Sequence, residues 1–411
     1  MTTRPAPLKV LFLASSYPRN ESDSAAVFLR YLAEALAAHG VEIYVLAPAD
    51  GKSTSTIEAG IFVHRFQYFP VRWQKLAYGS GIMPNLKRSP SLWLQVPCFF
   101  VSQTLAALRL ITQQRFDLIH AHWLLPQGLI GRISAVLSGI PLIVTAHGSD
   151  AFALKSTAAT WLKRLVVNQS NAWTANTEMT AAAIAYDGPT RKRRILPMGV
   201  DVTRFSKGDG ATLRSQLAQG ETVILFVGRL IESKGCHDLL EAISLLNATT
   251  RARVTLWVIG DGDQREILLL RAHELGIQDK TRFFGTLNHE RLVDCYAAAD
   301  VVVIPSTLGP AGESEGQGVV VLEAFAARAC VLATRSGGLT SMVHDQATGL
   351  LVAPDDPRAL ANALEQLISD PALRRRLTDK AFSEVWEKYD WAHIAEKFDQ
   401  LYREVLSAPR R

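Results

Sequence analysis

This chain reads as an α/β protein of two domains, each a parallel sheet with helices on both faces. Three observations carry that reading. Its 411 residues are 48% hydrophobic, more than a single core usually accommodates. Short runs rich in β-branched residues alternate with longer helical patterns from end to end, and near-continuous apolar strands mark parallel sheets covered on both sides. The rhythm pauses over the Gly-rich polar stretch at 199–220 and then restarts.

In the first half, strands are expected at Lys9–Ala14, Glu42–Ala47, Ile61–Phe66, Leu118–Ala121, Pro141–Ala146 and Ala172–Ala175. Helical patterns lie between them, such as Ala25–His39, closed by Gly40 as a stop. The second half offers strands at Thr222–Val227, Val254–Gly260, Thr281–Gly285, Val301–Pro305 and Val331–Thr334, with helices such as Cys236–Asn247 and Pro357–Ser369. The first domain then covers 1–195 and the second 200–388, both Rossmann-like. Ligands of such sheets bind beyond the carboxyl ends of the strands, so two facing domains would form a central cleft.

The most membrane-like stretch is LWLQVPCFFVSQTLAALRLI at 92–111. Gln95, Pro97, Gln103, Thr104 and Arg109 interrupt it, and a span requires roughly 20 clean apolar residues. A buried helix is expected there. No signal peptide is visible, because MTTRPAPLKVLFLASSY runs straight into a strand. The scattered cysteines Cys98, Cys236, Cys295 and Cys330 form no CxxC. That spacing points to reduced thiols in a cytoplasmic setting and away from structural zinc.

The net charge of +5 conceals an asymmetry: residues 1–195 hold 20 Lys+Arg against 10 Asp+Glu, and the rest hold 24 against 29. A basic first half suits an anionic partner. RKRR at 191–194 and Arg72, Lys75, Lys87 and Arg88 supply local clusters. Without aromatic-interleaved basic motifs, an anionic membrane surface fits better than nucleic acid; ordinary solvated surface explains any single cluster equally well.

The chemistry concentrates at strand ends. In GESEGQGVVVLEAFAAR, at 312–328, Glu323 is the single charge inside an apolar run, and Glu315 stands eight positions before it. A carboxylate in such a run is costly to strip of water. The glycines at 316 and 318 open a helix whose first N–H groups suit phosphate. Phosphate donors with a carboxylate further on suit a pyrophosphate and a ribose diol; a loop glutamate and a helix glutamate salt-bridged to some Arg is the plainer alternative. GRLIESKG at 228–235 follows the strand TVILFV, and its Gly228 permits a tight exit while Arg229 and Lys234 can offset a diphosphate leaving group. TAHGSD at 145–150 places His147 and Asp150 after another strand, and HAHWLLPQG at 120–128 adds His120, His122 and Trp123. Structural histidines explain these loops equally well, and no spacing resembles a zinc ligand set. The loop SSYPRNESDSAAVF at 15–28 could cover a sugar or phosphate but carries no signature.

Together, GRLIESKG, TAHGSD, PMGVD at 197–201 and SEGQGVVVLEA resemble the family 4 retaining glycosyltransferases of GT-B fold. The resemblance runs from LFLASSYP at 11–18 to the Trp391…Tyr402 helix. It implies that Glu323 binds the ribose hydroxyls and Glu315 contacts the transferred sugar. Arg229 and Lys234 would hold the diphosphate, with backbone contacts from Gln317, Gly318 and Val319. His147 would bond a sugar hydroxyl near the anomeric centre, and FFGTL at 283–287, through Phe284, Gly285 and Thr286, would hold the base. His122 and Asp150 are candidates for the acceptor side. The last helix, about 390–411, would return to the first domain.

Three departures stand out: Ser24, Ala25 and Ala26 replace a Gly-Gly pair frequent in relatives, Ser341 stands where a Glu is common, and Met198 where many have Asn. The first puts phosphate contacts from that loop in doubt. The expected reaction moves a hexosyl unit from a nucleotide diphosphate sugar to an acceptor hydroxyl with retention of configuration, without metal or other cofactor. The expected acceptor is a glycan or lipid-linked one used in exopolysaccharide, capsule or lipopolysaccharide assembly at the inner membrane face. A soluble glycoside acceptor, a nucleotide-sugar epimerase of the same fold and a non-catalytic partner are the rivals.

Overall fold

The structure is a computed structural model that describes residues 7–20, 23, 25–79, 81–152, 154, 156–184, 188, 192–218, 220–308 and 315–408. Glu21, Ser22, Ser24, Arg191, Gln219 and the segment 312–314 of the motifs above lie outside them. The chain divides into two compact units, one of Met1–Met198 with Trp391–Arg411 and one of Gly199–Asp390.

The first unit holds β1 (Leu8–Leu13), β2 (Val41–Pro48), β3 (Thr54–Glu58), β4 (Ile61–Phe66), β5 (Leu118–His122), β6 (Leu142–Ala146), β7 (Ala172–Ala175) and β8 (Arg193–Ile195). They lie in the order β3-β4-β2-β1-β5-β6-β7-β8. Every pairing is parallel except the β3–β4 hairpin at the edge. The apolar strands come out as the patterns predict. The misses are informative: β3 is polar and almost wholly exposed, and β8 is the three-residue segment RRI. Neither carries an apolar run to read.

The second unit holds β9 (Thr222–Val227), β10 (Val254–Ile259), β11 (Thr281–Gly285), β12 (Val301–Ile304), β13 (Cys330–Thr334) and β14 (Leu350–Val352). Their order is β11-β10-β9-β12-β13-β14, all parallel. The chain winds outward from β9 through β10 and β11, then restarts at β12 on the other side. The adjoining ends of β9 and β12 therefore lead into diverging loops, which opens the crevice where such sheets bind ligands. In the first unit β1 and β5 meet in the same way.

The helix Trp391–Ser407 belongs to the first unit and packs on the helix Val27–Ala38. It buries Trp391, Ile394, Ala395, Phe398, Leu401 and Tyr402, one apolar stripe at helical spacing. Tyr402 reaches through to the sheet: its hydroxyl lies 2.7 Å from Nδ1 of His120, whose Nε2 lies 2.7 Å from Oγ1 of Thr145. Thr145 in turn meets Thr174 at 2.6 Å. All four side chains are fully buried.

The segment at 92–111 is helical but not buried. It becomes a turn at Pro90–Leu94 and a helix at Gln95–Gln113. Gln95, Phe99, Gln103, Ala107 and Leu110 face the core, while Leu94, Val101 and Leu105 are 75%, 53% and 62% exposed. The polar interruptions that argued against a span are partly the inward groups: the Gln103 amide donates to the Ala14 carbonyl at 3.1 Å, and the Gln95 amide to that of Trp73 at 2.7 Å. The outward face is apolar from Leu94 through Pro97 and Val101 to Leu105 and turns polar at Arg109, Thr112 and Gln113.

Replacing Tyr402 by Phe removes one partner of a buried ring nitrogen, which costs about 1–3 kcal/mol. Denaturant unfolding should show the lower midpoint with an unchanged slope. An unchanged midpoint would mean that the hydroxyl contributes nothing to holding the terminal helix.

Candidate active site

In the second unit the β9 loop is set by one steric fact. Gly235 has φ +65°, and a Cβ there would lie 1.9 Å from the Pro305 carbonyl oxygen. Glycine alone lets the loop lie flat against the end of β12, where the Thr307 N–H donates to the Ser233 carbonyl at 3.0 Å. This places Lys234 beside the segment that leaves β12. Its ammonium donates to Oε2 of Glu315 in a direct ion pair, and the Ser306 hydroxyl lies 3.3 Å from the same oxygen. Burial pushes the Glu315 carboxyl up, but Lys234, the Ser306 hydrogen bond and the Arg229 charge outweigh it and hold the group below its usual range. Arg229 is exposed at the same strand end.

Glu315 also fixes the next turn through its backbone, since its carbonyl accepts from the Gly338 N–H at 2.8 Å. Gln317 and Gly318 are buried there, and Gly318, at φ +76°, caps the helix Val319–Ala326. The first amides of that helix have no intrahelical acceptor, as at any helix start. Glu323 lies one turn inside. Its Oε2 accepts from the Tyr296 hydroxyl at 2.6 Å. Burial raises the Glu323 carboxyl above its ordinary value, and the Tyr296 hydrogen bond only partly offsets this. The two glutamates are therefore pushed in opposite directions.

At the other side of β9, the strand ends are chained. The Gly228 N–H donates to Ile259 at 3.0 Å and the Gly260 N–H to Gly285 at 2.9 Å. Gly228 and the Phe284–Thr286 turn thus belong to one sheet edge. Phe284 is packed edge-on against Trp257, and Thr286 is exposed.

In the first unit, His147 follows β6 and His122 ends β5. Nδ1 of His122 lies 3.2 Å from Nε2 of His147, so one ring donates to the other. Phe28 and Trp123 flank His147 at 4.9 and 5.1 Å between ring centres. Burial pushes His147 down to about 3 and, with the neighbouring imidazoles, puts His122 well below its usual value. Both are neutral at pH 7. Nδ1 of His147 and Nε2 of His122 are buried without a protein hydrogen-bond partner. His122 is fully enclosed, behind His147. Asp150 accepts from the Leu124 N–H at 2.7 Å and the His147 N–H at 2.9 Å. Its carboxylate ties the two histidine loops together. Burial raises its pKa, opposed by these backbone bonds.

The structure thus gathers Gly228, Arg229, Lys234, Glu315, Gln317, Gly318, Val319, Glu323 and the Phe284–Thr286 turn at the strand ends of the second unit, and His122, His147 and Asp150 at those of the first. Among the described residues no cluster of three His, Cys, Asp or Glu side chains is arranged to hold a metal. Tyr296, Ser306 and Phe28 escape sequence reading, since each sits in ordinary helical or loop sequence. The lone signal is the apolar setting of Glu323, which demands a polar partner without saying which.

Residues 25–204 match the model of glycosyltransferase family 4, and residues 212–384 that of the group 1 glycosyl transferases. The D-inositol 3-phosphate glycosyltransferase of Corynebacterium jeikeium is 34% identical over 72% of this chain and 74% of its own length. That of Nocardia farcinica is 30% identical over 90% and 85%. Among solved structures, sucrose-phosphate synthase from Thermosynechococcus elongatus superposes with a TM-score of 0.79 at 23% identity, covering 98% of this chain and all of that one. Anabaena HepE, solved with UDP, superposes at 0.75 and 21% identity, covering 97% and 100%. The chain belongs to glycosyltransferase family 4 and is a nucleotide-sugar glycosyltransferase of GT-B fold.

Proposed function

We propose that this enzyme moves a hexosyl unit from a nucleotide diphosphate sugar to a hydroxyl of a lipid-linked acceptor in cell-surface glycan synthesis, with retained configuration, at the cytoplasmic face of the membrane. The observation that carries the donor half is the meeting, at the β9–β12 crevice, of Lys234 and Arg229 with a helix start and two carboxylates of opposite character. HepE has been solved with UDP-glucose, which supports a donor of that class.

The residues divide the work as follows. Arg229 and Lys234 offset the charge that grows on the departing diphosphate, and the amides of Gly318 and Val319 share that load. Glu323, oriented by Tyr296, accepts from the ribose diol. Glu315 accepts from a hydroxyl of the transferred sugar, with Lys234 passing from it to phosphate when donor arrives. His147, neutral and with Nδ1 unsatisfied, hydrogen-bonds a sugar hydroxyl. Burial holds His147 neutral, and in this reading the departing diphosphate takes the acceptor proton. His122 and Asp150 position His147 and its loop.

A second acceptor reading has its own support, because the curated relatives are named for D-inositol 3-phosphate. In that case the basic first domain would receive a soluble phosphorylated polyol. Offering purified protein UDP-glucose and other nucleotide sugars with a polyprenyl-phosphate-linked sugar or with inositol 3-phosphate decides between them. Isomerisation of the donor with no acceptor present would instead select an epimerase.

Lys234→Ala should lower kcat roughly 10²–10³-fold at saturating donor, with a smaller change in KM; unchanged turnover would refute the role given to Lys234. Activity should persist in excess chelator, and loss restored by added divalent metal would overturn the two-cation scheme. Glu323 also has a consequence for stability. Because its folded-state pKa is raised, the folded protein binds its proton more tightly than the unfolded chain does. The resulting penalty is absent below the unfolded value near 4.5 and grows as pH rises through the folded value. Glu323→Gln should therefore raise Tm at pH 8, an effect that fades towards pH 4, while weakening donor binding. A variant with lower Tm at pH 8 would contradict this.

A further inference from the structure

The first unit carries a helical layer whose outer surface does not look like that of a solvated protein. The layer covers one face of the sheet and includes the helices Ile82–Arg88, Gln95–Gln113 and Leu129–Ser138. Between Glu58 and Asp117 the sequence contains no Asp or Glu at all. On the helix Gln95–Gln113 the outward positions Pro97, Val101 and Leu105 follow Leu94 as a stripe without charge for three turns, all exposed. Trp73 and Trp93, 50% and 53% exposed, lie at its amino-terminal end, where the Gln95 amide ties the Trp73 carbonyl to the helix at 2.7 Å. The basic residues Arg72, Lys75, Lys87 and Arg88 are exposed around the same end. The Asn85 amide fastens their segments together by donating to the carbonyls of Leu76 and Tyr78 at 3.1 and 2.7 Å. The opposite face of the same sheet is different. There the helix Trp391–Ser407 turns Glu396, Lys397, Arg403 and Glu404 outward, the usual solvated pattern.

From this contrast we infer that the outer face of the helix Gln95–Gln113, with the Trp73–Trp93 end, is a docking surface for an anionic lipid bilayer. The charge balance favours lipid, since a carboxylate-free, base-rimmed apolar stripe matches acyl chains beneath anionic headgroups. Tryptophans sit well at the headgroup level. The helical run Pro90–Gln113 is long and apolar enough to cross a membrane, yet it lies on the bilayer rather than through it. Gln103 binds Ala14 of the β1 end, and Gln127 donates to Gln103 at 3.2 Å, so insertion end-on would strip buried amides of their partners. This surface deepens the lipid-linked-acceptor reading, but its test does not pass through catalysis.

The full chain is co-sedimented with vesicles of phosphatidylcholine alone and with one part in three phosphatidylglycerol. Binding to the anionic vesicles alone is expected, weakening from ~50 to ~500 mM salt. The exposed-site variant L94S/V101S/L105S should bind about tenfold more weakly or less still, and K87S/R88S should lose the preference for phosphatidylglycerol. Circular dichroism and turnover of a soluble acceptor or slow donor hydrolysis establish that the variants fold. Wild-type protein that ignores anionic vesicles at low salt, or a triple-serine variant that binds as wild type, overturns the surface. So does a wild-type dimer in light scattering that the triple variant abolishes while vesicle binding is absent, since the occupant is then a second copy. Vesicle binding with turnover of inositol 3-phosphate alone leaves the surface standing and removes the lipid-linked acceptor.

Discussion

The close approach of Gly235 to the Pro305 carbonyl is the constraint on which the candidate site of the second unit depends. With any Cβ at that position the β9 loop would have to lift from the end of β12, and Lys234 would leave Glu315. The pair is worth having there only because the neighbours complete it: a partly buried ion pair is favoured when further hydrogen bonds satisfy the remaining lone pairs, and Ser306 and Arg229 act on the same carboxylate. The topology supplies the rest. Because β9 and β12 are adjacent but lie at the two starts of the winding, their loops part and leave the Lys234–Glu315 pair at the mouth of the crevice instead of under a crossing helix.

The two glutamates show how one short segment sets up two different carboxylates. Glu315 sits before the helix among cations and is held ionised. Glu323 sits within the helix, with Val321, Leu322, Ala324 and Phe325 buried around it and a neutral phenol as its partner. Burial acts upward on both; the sign differs because a cation compensates it in one case and a dipole in the other. The first unit uses neither device. Its polar centre is a set of neutral imidazoles, hydroxyls and backbone amides, with Asp150 spent on two N–H groups. Because burial keeps these imidazoles neutral, the charge of this centre does not change over the neutral pH range.

Much of this was legible because parallel strands buried on both faces are continuous apolar runs, and their ends are where polar loops begin. Thr222–Val227, Ala172–Ala175 and the helix Pro357–Ser369 have the same bounds in the structure as the patterns indicate. The strands β3, β8 and β14 were not legible, being polar or three residues long. The site loops could be named from their residues, but not their connections. Tyr296 lies 27 positions from Glu323 on a separate helix, and the His122–His147 contact bridges two strands. Pairings of this kind come from sheet order, which local composition does not encode.

The helix Gln95–Gln113 marks where pattern reading misleads for a physical reason. Hydrophobicity along a helix normally reports burial, because the opposite face is charged. Here Gln95 and Gln103 face inward beside Phe99, Ala107 and Leu110, where they satisfy backbone carbonyls, and the outward stripe from Leu94 through Pro97 and Val101 to Leu105 is apolar until Arg109. An exposed apolar stripe of this kind is expensive to keep in water if nothing covers it. The chain tolerates it within a layer whose carboxylates have been emptied out, Asp117 being occupied by the Lys9 amide at 2.8 Å. Charge depletion and apolar exposure coincide on one face of this sheet, whereas on the other the helix Trp391–Ser407 turns Glu396, Lys397, Arg403 and Glu404 outward, and the proposed docking surface rests on that contrast.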